Sequence, residues 1–213
     1  METRPRLTPP IANVRRAVRE TFEMTQLADT NSVLLAVSGG PDSMALALAA
    51  SFELPKLGIK VCAAVVNHNL QAGSETVAAQ TAQRLKALGI EASILDIEVP
   101  KTGAGPEAEA REARYSALEA ERVRVGAQVI LTGHNLDDQA ETVLLGLTRG
   151  SGLRSIAGMK VFDGNLVRPL LAVEKQELTQ ACVDSGVQYW LDPHNQDTAF
   201  TRVRIRNLMR QIE

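Results

Sequence analysis

The chain has 213 residues, of which 45% are hydrophobic, and a formal net charge of −2. That length sets one sizeable domain as the expectation, since domains of roughly 100 to 200 residues bury enough apolar surface to fold alone, and the charge balance gives no overall signal for nucleic acid. No run of about 18 apolar residues is present, which excludes a membrane-spanning helix, and an apolar signal core is missing from the Pro- and Arg-rich stretch Arg4 to Pro10.

Aromatic residues are sparse at 3%, so Ala, Val, Leu and Ile must fill the core, as they do in parallel sheets covered by helices. Cys62 and Cys182 stand 120 positions apart, which gives neither a metal spacing nor a disulfide framework and suits a reducing cytoplasm. Charge is uneven: Thr198 to Glu213 carries Arg202, Arg204, Arg206 and Arg210 against the single acid Glu213.

In chain order, residues 1–30 read as a leader and a helix over Ile11 to Leu27, with apolar positions at Ile11, Val14, Val18 and Phe22. Residues 31–213 then alternate strands and helices. Ser32 to Val37 is a short apolar strand that runs into Ser-Gly-Gly-Pro-Asp-Ser, followed by an Ala/Leu helix from Met44 to Ser51. Lys60 to Asn67 is a second strand, and Gly73 to Leu88 a helix closed by Gly89. A third strand over Glu91 to Val99 precedes a charged helix from Pro106 to Val125, and a fourth over Ala127 to Thr132 precedes a helix from Leu136 to Thr148. A weaker strand at Asn165 to Val167, a helix at Val173 to Ser185 and an Arg-rich helix near Thr201 to Ile212 complete the chain. The pattern predicts an α/β, doubly wound, mostly parallel sheet of about five strands with helices on both faces. In such sheets ligands sit beyond the carboxyl ends of the strands.

Two post-strand loops carry the chemistry. In the first, Ser38, Gly39, Gly40, Pro41, Asp42 and Ser43 join a strand to a helix. Glycines allow close backbone approach and the helix start offers N–H groups and the positive dipole end, so the loop reads as a phosphate cradle. It lacks the Lys-Ser/Thr pair of a Walker A loop. Asp42 beside a polyphosphate requires a cation between them, which argues for Mg²⁺. A plain Gly-Gly-Pro turn with Asp42 in a capping role is the structural alternative.

In the second loop, His134 precedes a helix that opens with Asp137, Asp138 and Glu141. Asp137 and Glu141 are four apart and Asp138 and Glu141 three, so the acids share a helical face fit for a metal or an amine. The alternative has the aspartates favouring the helix dipole and Glu141 solvated. His134 alone reads as a hydrogen-bonded loop histidine. Arg149 and Arg154 follow in a Gly-rich stretch.

The hexapeptide resembles the signature of the PP-loop, or N-type ATP pyrophosphatase, family. That resemblance implies ATP bound through its pyrophosphate, cleavage between the α- and β-phosphates, and an adenylated substrate oxygen. Thr132 to Thr142, Leu147 to Arg154, Asn67-His68, Ala110 to Tyr115, Arg168-Pro169-Leu170-Leu171 and Asp192-Pro193-His194-Asn195 are together similar to the pattern of the tRNA(Ile)-lysidine synthases. Gln71 and Val203 depart from it, standing where Arg and Asn are common.

The resemblance implies ligation of free lysine to C2 of the wobble cytidine of tRNA(Ile) in the cytoplasm, with ATP and Mg²⁺. It leaves room for a homodimer, and many members carry a further tRNA-binding domain beyond the position of Glu213. It further implies catalytic roles for Asp42, Asp137, Asp138 and Glu141, with Mg²⁺ on Asp42 and Asp138. Ser38 to Ser43, Asn67 and His68 would hold the nucleotide; Arg111, Arg114, His134, Arg149 and Arg154 would hold lysine or tRNA. For Arg111 and Arg114, surface pairs with Glu107 or Glu109 are the alternative. A tRNA thiolase of the same fold and a nucleotide-binding module without catalysis remain as rivals; the first needs a reactive cysteine.

Overall fold

The computed structural model describes residues 7–24, 27, 29–67, 73–99, 103, 105–148 and 157–191, the side chains of residues 106 and 107 excepted. The expected Arg-rich C-terminal helix lies outside the described residues, as do His68, Gln71, Arg149, Arg154, Val203 and the Asp192 to Asn195 segment.

The elements are α1 (Pro9–Glu23), β1 (Ser32–Val37), α2 (Pro41–Glu53), β2 (Lys60–Asn67), α3 (Ser74–Ala87), β3 (Glu91–Asp96), α4 (Pro106–Arg124), β4 (Val129–Thr132), α5 (Leu136–Thr148), β5 (Phe162–Asp163), β6 (Leu166–Val167) and α6 (Lys175–Asp184). A single 3-10 turn, Leu54–Leu57, follows α2. Prolines open α1 and α2 two or three residues earlier than their apolar pattern suggests, because the missing N–H costs nothing in a first helical turn. β3 stops at Asp96, short of Val99, because its partner runs out: Ile97 N donates to Asn67 O, the last residue of β2, at 3.0 Å.

The sheet order is β3-β2-β1-β4-β6-β5. Strands β3, β2, β1, β4 and β6 pair in parallel, the five that the apolar runs predict. The sixth, β5, is antiparallel to β6 through a two-residue turn at Gly164 and Asn165, with Gly164 at φ 63°.

Alternation along the strands divides the core. Val33, Leu35 and Val37 of β1 join Ala63, Val65, Val129 and Leu131 in a cluster under α1, α2, α3 and α6, whereas Leu34 joins Cys62, Ala64 and Ile130 in a cluster under Leu118 of α4. The N-terminal helix is part of the first cluster through Ile11, Val14, Val18 and Phe22. Its Arg15 donates to the buried Glu53 of α2 at 2.7 Å. Burial opposes the charge on Glu53, but hydrogen bonds from Arg15 and Lys56 outweigh it and hold the carboxyl below its usual range.

The connection from β1 goes to β2 on one side, and the chain later returns to place β4 on the other. β1 and β4 therefore flank the point where the winding direction reverses, and the loops after them face one another across it.

Candidate active site

After Val37 the chain makes its tight turn at Gly39, φ +85°, and Gly40 caps α2 with extended backbone ahead of Pro41. The Ser43 hydroxyl donates to Gly40 O at 3.0 Å and accepts from Ser38 N at 3.2 Å, while the Ser38 and Ser43 hydroxyls lie 3.3 Å apart. These bonds close the loop over the first turn of α2. Other elements brace it. A Cβ at Gly39 would fall 2.5 Å from Oγ1 of the buried Thr81 on α3. Trp190 N donates to Gly39 O at 2.8 Å, and the Cys182 thiol of α6 reaches Pro41 O at 3.4 Å. The result is a backbone loop at a helix start, held on both sides, of the kind that binds phosphate.

The loop after β4 touches this one through backbone. A Cβ at Gly133 would lie 2.9 Å from Asp42 O and 3.0 Å from Ser43 N. Next to it the Thr132 hydroxyl and His134 Nδ1 are 2.7 Å apart. Asn135 and Asp138 then form a reciprocal capping box at the start of α5: Asn135 N donates to Asp138 Oδ2 at 3.1 Å, and Asp138 N to Asn135 Oδ1 at 3.0 Å.

The three acids of α5 sit in different surroundings. Asp137 Oδ1 accepts from Lys175 N, the first residue of α6, at 3.3 Å. Asp138 commits one oxygen to the cap. Glu141 is only 1% exposed, which replaces the solvated position that helical spacing allowed.

Asn67 ends β2 as a buried residue whose amide donates to Asp96 Oδ1 at 2.8 Å. Arg111 and Arg114 sit on α4 with guanidinium carbons 4.9 and 5.1 Å from the Tyr115 ring centroid. Arg114 Nε is buried with no hydrogen-bond partner among the described residues. Arg168 braces the β5–β6 hairpin, with Nη1 donating to Lys160 O at 2.7 Å and Nη2 to Asp163 Oδ2 at 3.4 Å.

Motif reading missed Lys175, Thr81 and Trp190. Lys175 Nζ lies 3.9 Å from Asp42 Oδ2, but the two residues are distant in sequence and only folding joins them. Thr81 gave no sequence signal, because a positive-φ glycine such as Gly39 does not say which side chain will approach it.

For Mg²⁺, the donors on offer are hard carboxylate oxygens on Asp42 and Asp138. No cluster of three or more His, Cys, Asp or Glu side chains that could hold a metal occurs among the described residues. Mg²⁺ keeps several waters and binds through one or two carboxylates together with substrate phosphates, so a three-ligand cluster of side chains is not its requirement.

Residues 11–212 match the family profile of the PP-loop domain, an ATP-utilising class. The chain belongs to the PP-loop family. Curated relatives of this PP-loop chain are named tRNA(Ile)-lysidine synthase. The protein of Streptomyces coelicolor is 49% identical over 179 residues, 82% of this chain and 51% of the relative. That of Salinispora arenicola is 45% identical over 206 residues, 94% of this chain and 61% of the relative. The Leifsonia xyli protein is 47% identical over 181 residues, 85% and 54% respectively. The PP-loop chain thus spans between half and three fifths of the length of these relatives.

Among solved structures, the U34-tRNA thiolase NcsA from Methanococcus maripaludis, with its [4Fe-4S] cluster, superposes with a TM-score of 0.80 at 19% identity, covering 96% of this chain and 73% of that one. NMN synthetase from Francisella tularensis gives 0.60 at 15% identity, with 96% and 87% covered. Both show the PP-loop fold alone. No helix among the described residues is long and apolar enough to cross a membrane.

Proposed function

We propose that this PP-loop chain is the catalytic portion of a tRNA(Ile)-lysidine synthase acting in the cytoplasm. The supporting observation is 45 to 49% identity to proteins of that name across 82 to 94% of the chain. It is joined by a phosphate loop whose backbone abuts an acidic helix start.

In this reading the cytosine O2 of the wobble cytidine attacks the α-phosphorus of ATP, and the bond to the bridging oxygen breaks to release pyrophosphate. The free ε-amine of lysine then attacks C2, the C2–O2 bond breaks, AMP departs with that oxygen, and the amine proton is lost to a nearby base.

Ser38 to Ser43 receive the leaving pyrophosphate on backbone and hydroxyl groups fixed before the reaction, so little reorganisation is needed as charge develops. Mg²⁺, when bound on Asp42 and Asp138, neutralises that charge as a Lewis acid. Asp137 draws the lysine ammonium to the start of α5, and the buried Glu141 supports that start from the interior. Arg111 or Arg114 takes the lysine carboxylate, for which a guanidinium is a bidentate donor. Asn67 and His68 border the nucleotide, His134 orients substrate, and Arg149 and Arg154 meet tRNA phosphates.

The thiolase reading is the weaker one. A thiolase needs a reactive cysteine, and the two cysteines of this chain are Cys62 and Cys182. Both are buried, and burial, with Asp42 adding to it, pushes the Cys182 thiol up to about 12, far from a reactive thiolate.

Pyrophosphate release from ATP tests the proposal and separates it from a non-catalytic nucleotide-binding module. Release should require tRNA(Ile) and disappear in Asp42→Asn. Release that ignores tRNA, or no release from ATP-bound protein with tRNA, contradicts it.

A further inference from the structure

We infer that Lys175 is a phosphate-binding cation of the loop, acting beside Mg²⁺ and supplied from α6 in place of the lysine that a Walker A loop carries within itself. The inference rests on the reading of the loop as an ATP site.

A polyphosphate in the loop must lie beside Asp42, and that juxtaposition of anions needs positive charge. Lys175 is placed to provide it. Its backbone N–H donates to Asp137 Oδ1 at 3.3 Å, which seats the first residue of α6 against the start of α5. Its ammonium lies 3.9 Å from Asp42 Oδ2. That separation is beyond a close charge-assisted hydrogen bond, and a phosphate oxygen beside Asp42 falls within reach of the ammonium donors. The pair is also accessible: the Lys175 side chain is 32% exposed and that of Asp42 24%.

The placement is braced, because the same stretch of chain contacts the loop twice more. Cys182 Sγ reaches Pro41 O at 3.4 Å, and Trp190 N donates to Gly39 O at 2.8 Å. The first turns of α2 and α6, each with its positive dipole end, thus meet at the carboxylates of Asp42 and Asp137.

Two measurements on this chain, both with Mg²⁺ present, decide the matter. Calorimetric titration compares ATP, pyrophosphate and AMP binding to the wild type, Lys175→Met and Lys175→Arg, with thermal unfolding as the check on folding. Losing a charged hydrogen-bond partner of phosphate should weaken ATP and pyrophosphate binding about 10- to 100-fold, leave AMP nearly unchanged, and be largely reversed by Arg. Lysine acetylation read by mass spectrometry then asks whether pyrophosphate covers the ammonium. Labelling of Lys175 should fall on saturation with pyrophosphate while that of the exposed Lys56 stays constant.

Equal weakening of all three ligands, unaltered affinities, or undiminished labelling of Lys175 under pyrophosphate overturns the inference and leaves the ATP reading standing. A wild type with no affinity for ATP or pyrophosphate overturns both. ATP binding without any modification of tRNA counts against the proposed tRNA activity only.

Discussion

A Cβ at Gly133 would fall 2.9 Å from the Asp42 carbonyl oxygen and 3.0 Å from Ser43 N, both backbone atoms that cannot rotate out of the way. Gly133→Ala must therefore separate the two loops that form the site. It should cost about 1 to 3 kcal/mol of stability, as overpacking does, and weaken ATP binding with it. Gly89 provides the contrast, since its φ is +76° but nothing lies within 4 Å of a Cβ there. Gly89→Ala should cost only the left-handed strain of about 1 to 2 kcal/mol and leave ATP affinity untouched. Equal ATP affinity in the two variants would show that the loop contact has no bearing on the site.

Cys182 gives a second residue-scale expectation. Its thiol ordinarily titrates near 9, and burial first, then Asp42, raises it to about 12 in the fold. The folded state thus holds a proton that the unfolded chain releases between these values. The associated stability is complete below pH 9 and is lost as pH rises towards 12. Chemical denaturation across that range should show a shallower alkaline loss for Cys182→Ala than for the wild type, and parallel losses would refute the assignment.

Among the elements, α5 separates chemistry from folding most cleanly. Asp138 caps the helix through an oxygen acceptor, and asparagine retains such an acceptor while losing the charge. Asp138→Asn should hold stability to within about 0.5 kcal/mol yet sharply lower turnover, while Asp138→Ala should also lose roughly 1 kcal/mol of capping. An Asp138→Asn enzyme with normal kinetics would confine Asp138 to the cap.

The elements also show what could be read from sequence. β1, β2 and α5 match their expected bounds because apolar runs and abrupt turn residues mark both ends. β6 was expected as a weak strand, but its hairpin partner β5 escaped notice because it is two residues long and buries little; Gly164-Asn165 was the available turn signal. The grip of Trp190 on Gly39 was beyond sequence reasoning because it depends on backbone atoms, which carry no residue signature. The three acids of α5 were legible as a group, but helical spacing does not say which neighbour each one meets. The folded neighbours decide that: α6 for Asp137, the helix cap for Asp138, the interior for Glu141.

At the scale of the whole molecule, the winding order explains why one end of the sheet carries the chemistry. Reversal between β1 and β4 opens the crevice, the loops after those strands meet across it, and the turn before α6 closes on it through Leu136 N to Val173 O at 3.0 Å. The fold alone serves thiolases and synthetases alike, so the site must choose the reaction. Mass analysis of tRNA(Ile) bearing a CAU anticodon, after incubation with this chain, ATP, Mg²⁺ and lysine, tests that choice most directly. The account predicts a gain of one lysine less one water, confined to the wobble cytidine and abolished by Asp42→Asn; an unchanged tRNA mass under conditions where ATP is bound, or a gain of sulfur in place of lysine, would contradict it.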